Sequence, residues 1–72
     1  MRYFFHSIGE GRFYQDKGGE AFDTEKDALS HAELIATELA DGGGFDGSSI
    51  LVTDENGKEV GQVPIQTKLQ GR

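Results

Sequence analysis

The stretch from Asp23 to Asp41 limits what this chain can fold into more than any other. Ala28, Leu29, Ala32, Ile35, Ala36 and Leu39 recur at i, i+1, i+4, i+7, i+8 and i+11. At about 100° per residue they gather into one apolar stripe roughly 120° wide, so the spacing predicts an amphipathic helix with that stripe buried. The flanking segments read as strands, which makes a sheet the surface it packs on. Asp23 or Thr24 can cap the start by accepting a bond from an orphan amide of the first turn. Thr24 and Asp27 approximate a capping box, and Glu25 and Asp27 suit the positive end of the helix dipole. The run Gly42-Gly43-Gly44 ends the helix, with Phe45 expected to tuck under that end.

With 72 residues the chain makes one small α+β domain, expected over residues 1–66, with a frayed tail at 67–72. A domain this size buries only about 60% of its unfolded surface. There is no Cys, so neither a disulfide nor a thiolate metal site can staple it. Two His do not close a structural zinc site without carboxylate help, and no metal or cofactor is expected. Association with another copy is the remaining source of extra burial. No apolar run is long enough to span a bilayer and no signal-peptide pattern opens the sequence, so the expected location is cytoplasmic.

Charge is unevenly placed. Residues 1–22 balance Arg2, Arg12 and Lys17 against Glu10, Asp16 and Glu20, and residues 50–72 balance Lys58, Lys68 and Arg72 against Asp54, Glu55 and Glu59. The net charge of −6 therefore lies between Asp23 and Ser49, where Lys26 stands alone among seven acidic residues. An acidic helix back repels phosphate and anionic lipid, which argues against nucleic acid or membrane as a partner. Its plainest reading is a solvated face that aids solubility.

Arg2–Ile8 is aromatic-rich and free of breakers, and reads as a first strand; Arg12–Asp16 reads as a second. Alternation puts Tyr3, Phe5 and Ser7 on one face and Arg2, Phe4, His6 and Ile8 on the other. The first set carries no charge and is assigned to the helix side. A three-residue loop with Gly11 left-handed sets Ser7 opposite Phe13 and His6 opposite Tyr14, turning Phe13 inward and Tyr14 outward; a two-residue loop reverses the pair. Ser49–Asp54 and Lys58–Ile65 form a second hairpin through a type I′ turn at Asn56-Gly57, pairing Ile50 with Val63 and Val52 with Gly61. Pro64 makes the last strand an edge, at least at that end. The expected fold is ββαββ, a four-stranded antiparallel sheet with one helix on one face. Both orders 2-1-3-4 and 2-1-4-3 satisfy it.

In this pattern the chain resembles a family of short bacterial proteins of unknown function that open with the run seen here as Arg2-Tyr3-Phe4-Phe5-His6. The later matches come in order: Asp16-x-x-Gly19, an Ala-rich helix, Asp46-Gly47, Val52-Thr53-Asp54-Glu55-x-Gly57 and Pro64. Ser7 departs from the apolar residue expected at its place. The resemblance implies the fold and implies no activity, cofactor or catalytic residue.

Few residues invite chemistry. His6 beside Tyr14 and Arg12 has the parts of a general base, yet a lone strand His is more often a surface or interface residue. His31 lies four residues from Asp27, which fits a solvated ion pair better than a metal site. Asp54-Glu55-Asn56-Gly57 lacks the ligand spacing of a calcium loop, and Gly42-Gly43-Gly44 lacks the Lys-Ser/Thr of a phosphate loop. The remaining feature is the sheet face away from the helix. It is expected to carry Arg2, Phe4, His6, Ile8, Tyr14, Thr53 and Val60, with more apolar surface than a solvated face needs. The leading expectation is a non-catalytic module that binds protein there, most simply a homodimer. Single-stranded nucleic-acid binding on Phe4 and Tyr14 comes second, and a small enzyme built on His6 last.

Overall fold

The computed structural model describes residues 1–9, 11–42 and 47–65. In chain order the elements are β1 (Arg2–Gly9), β2 (Arg12–Tyr14), β3 (Glu20–Ala21), α1 (Glu25–Gly42), β4 (Ser49–Asp54) and β5 (Glu59–Pro64). Every strand pair is antiparallel, in the order β2-β1-β4-β5, and β3 adds to β1. The fold is therefore α+β, and the order is the one that sets the first strands of the two hairpins side by side. The short β3 lies where the sequence suggests only a turn and the approach to the helix. Pro64 ends an edge strand, where its missing amide hydrogen breaks no ladder.

Thr24 starts the helix. Its Oγ1 accepts the Asp27 amide at 3.1 Å while its carbonyl accepts the Ala28 amide at 3.2 Å. The buried line of α1 is Ala28, Ala32, Ala36 and Ala40. Ile35 and Leu39, the expected centre of the stripe, are instead half-buried beside it. The reason is steric: a methyl at every fourth residue lets the helix backbone close on β4 and β5, and the longer side chains spread to the flanks. Gly61 belongs to this fit, since a Cβ there would lie 2.8 Å from Leu29 Cδ2. Tyr3, Ile50, Val52 and Ile65 complete the core from the strands and the end of β5. The expectations for Gly43, Gly44, Phe45 and the tail at 67–72 lie outside the described residues.

Both hairpins differ from expectation in their turns. Gly9 pairs with Arg12, so the first loop has two residues, and Ile8 rather than Ser7 faces Phe13. Gly9 is held in the strand by close packing, because a Cβ there would come within 2.8 Å of Ser48 Cα. Gly11 takes the left-handed φ of 73°. In the second hairpin Asp54 donates its amide to the Lys58 carbonyl at 2.9 Å and accepts from the Gly57 amide at 3.0 Å, giving a three-residue loop. Asp54 Oδ1 holds that loop by accepting the Asn56 and Lys58 amides, each at 2.9 Å. The offset is absorbed at once: Thr53 pairs with Glu59 and Val52 with Gly61, leaving Val60 as a bulge. The expected pairs Ile50–Val63 and Val52–Gly61 survive.

Candidate functional site

Among the described residues, the helix occupies one face of the sheet and the other face is open. Pairing sets Phe4 beside Thr53, His6 beside Leu51 and Ile8 beside Phe13. These side chains alternate onto the face away from Tyr3, Phe5, Ile50 and Val52. At the centre stands His6, only 6% exposed. The Phe4 ring stacks parallel to it at 6.4 Å and the Phe13 ring leans over it at 5.4 Å. A groove of about 550 Å³ follows this row of rings, with Lys17 and Asp16 on one wall and Thr53 and Glu55 on the other.

Two of the expected residues lie elsewhere. Tyr14 sits across from Ser7 on the helix side, exposed, its hydroxyl accepting from Arg12 Nη1 at 3.3 Å. The two-residue loop is the cause, and the same change brings Phe13, 57% exposed, onto the open face. Val60 packs against the core because the bulge turns it inward. Arg2, Phe4, His6 and Ile8 share the open face as expected. Arg2 is exposed, with Nη1 donating to the Gly18 carbonyl and its amide to Glu55 Oε1, both at 3.0 Å. Leu51 and the loop Gln15–Lys17 were missed. Leu51 was legible, since it alternates with the inward Ile50 and Val52; in the loop only the spacing Asp16-x-x-Gly19 was legible, and it does not point to the open face.

That loop has a definite job. β2 covers the Ser7–Gly9 end of β1 and β3 covers the Arg2–Tyr3 end, so residues 4–6 face residues 15–19 with no strand between. Asp16 fills the gap. Its Oδ2 accepts the Phe5 amide at 3.1 Å, while Oδ1 accepts the Gly18 and Gly19 amides at 3.1 and 3.2 Å. Burial pushes the carboxyl up, but the bonds from Phe5, Gly19 and Gly18, with His6 beside them, outweigh this and hold it below the ordinary carboxylate value. The Asp16 amide in turn donates to His6 Nδ1 at 3.0 Å. With Nδ1 accepting, the ring proton sits on Nε2 and reaches Thr53 Oγ1, also at 3.0 Å. Both ring nitrogens are thus engaged by the fold, and neither offers a free lone pair to a substrate proton.

The second His is equally tied. His31 packs between Phe5 and Phe22, at ring distances of 5.1 and 5.2 Å, and meets Glu20 Oε1 at 3.3 Å rather than pairing with Asp27. Among the described residues no group of three or more His, Cys, Asp or Glu is placed to hold a metal, and no helix is long and apolar enough to cross a membrane. No curated protein and no solved structure matches the chain. Residues 2–66 match the family described as Domain of unknown function (DUF6894), and the chain belongs to that family.

Proposed function

We propose that this protein is a non-catalytic interaction module whose partner is a second copy of itself, joined through the open sheet face. The observation that carries this reading is the contiguous row Phe4, Phe13, Ile8 and Leu51 on a face that, among the described residues, no helix covers. Charge favours self-association. The acidic residues of α1 lie on the far side, so two copies meet through near-neutral faces with their acidic helices pointing apart. The groove carries Lys17 on one wall and Glu55 on the other, a rim suited to two-fold contact. A chain with no disulfide gains most from such burial, at about 25 cal/mol per Å² of apolar area.

Phe13→Glu is the test. Phe13 is exposed in the single chain, so the charge leaves the protomer folded but cannot be buried unpaired in an interface. Light scattering should give a dimer mass for the wild type and a monomer mass for a folded Phe13→Glu. A wild type that stays monomeric at the highest soluble concentration removes the reading.

A further inference from the structure

We propose that His6 is a pH-operated latch on the loop that walls the open face: its protonation releases residues 15–19 from β1 and uncovers Phe4. The latch is a single contact between a ring that can change its donor pattern and an amide that cannot. Neutral His6 accepts the Asp16 amide at Nδ1 and donates from Nε2 to Thr53. A protonated imidazole carries hydrogen on both nitrogens. The Thr53 bond survives that change, so the ring stays in place. Nδ1–H would then point at the Asp16 N–H, and two donors face to face cannot share a bond. The amide has to withdraw.

Withdrawal does not stop at one bond. The Asp16 carboxylate also holds Phe5, Gly18 and Gly19, so moving its backbone loads all three contacts. Gly19 lies so close to the face that a Cβ there would come 2.8 Å from Phe4 Cε1 and 2.7 Å from the Tyr3 carbonyl. Lifting the loop therefore exposes the Phe4 ring and widens the groove. The charged groups around the ring are few. Among the described residues the loop brings Asp16 and Lys17, the end of β4 brings Asp54 and Glu55, β5 brings Glu59 across from Thr53, β1 brings Arg2 at its outer end, and β2 brings the uncharged Phe13. Asp16 is the anion that answers a charged ring, and attraction to it draws the carboxylate off the same amides. Its effect on association rests on the open face being an interface; the release of the loop does not.

Nuclear magnetic resonance of the full chain, followed from mildly alkaline pH down into acid, tests the latch directly. At the upper end the His6 ring nitrogens should report the Nε2–H tautomer, with the Asp16 amide protected from exchange. As the His6 signals titrate, that protection should fall by about tenfold or more, while core β4 amides keep theirs. His6→Asn retains a side-chain oxygen as acceptor and cannot be protonated, so its Asp16 amide should stay protected at the acid end. An Nδ1–H tautomer at high pH overturns the latch. So does Asp16 protection that ignores the His6 titration, or that fails equally in a folded His6→Asn. A chain that is monomeric at every pH would remove the interface reading and leave this result untouched.

Discussion

At the scale of single residues, Asp16 does the work that a strand would otherwise do. It satisfies the Phe5 amide at a point where β1 has no neighbour on that side. Asp16→Ala should cost ~1–3 kcal/mol in urea unfolding, because a part-buried donor in mid-strand loses its acceptor. The pH dependence has a definite sign. The native carboxyl sits below its ordinary value of 3.8, so its stabilisation is complete above that value and is lost as pH falls through the native one. Below about pH 4 the wild type should lose stability more steeply than Asp16→Asn. Equal slopes in acid denaturation would show that the carboxylate contributes nothing through its charge.

At the scale of elements, the helix and the second hairpin make opposite demands on side-chain size. The Ala line of α1 has no room to grow. Ala32→Leu should destabilise by ~1–3 kcal/mol through overpacking, measured by thermal or urea unfolding, although Leu is a good helix former. Leu39 lies on the flank, so truncating it should cost less than the ~2–5 kcal/mol of a fully buried Leu. The hairpin loop demands conformation rather than space. Nothing lies within 4 Å of a Cβ at Gly57, yet its φ is 84°. Gly57→Ala should therefore cost roughly 1 kcal/mol from backbone strain alone, and should leave the Ile50–Val63 register unchanged.

At the scale of the whole molecule, the separation of an acidic helix from an apolar sheet face sets what the protein can meet. Phosphate backbones need a basic track, and the open face offers Arg2 and Lys17 against Asp16, Glu55 and Glu59. Fluorescence anisotropy with labelled single-stranded RNA or DNA at low salt should show no binding below ~100 μM, weaker than ordinary non-specific binders. Micromolar binding that weakens with added salt would instead make the Phe4–His6–Phe13 row a stacking platform for bases.

What the sequence determined alone is whatever depends on local pattern. The helix follows from 3.6-residue spacing and its cap is narrowed to Asp23 or Thr24, of which the structure uses Thr24; the four main strands and the inward set Tyr3, Phe5, Ile50 and Val52 follow from two-residue alternation. Phe4, His6 and Ile8 follow from the same alternation. The tertiary structure decided everything that turns on one residue of register or on a neighbour distant in sequence. Whether Phe13 or Tyr14 faces outward depends on a loop of two residues or three, and the pairing of Gly9 with Arg12 makes it two. Val60 depends on a bulge that compensates a loop held by Asp54. The Ala line became the contact because a helix pressed onto a sheet seats its smallest side chains at the seam and its largest beside it. Asp16 gained its part because β2 and β3 stop short of one another on the edge of β1. The Gly18 and Gly19 amides are local to Asp16 and fit the spacing Asp16-x-x-Gly19, but the Phe5 amide and the His6 imidazole reach it from a separate stretch of chain, and no spacing in the sequence records that meeting.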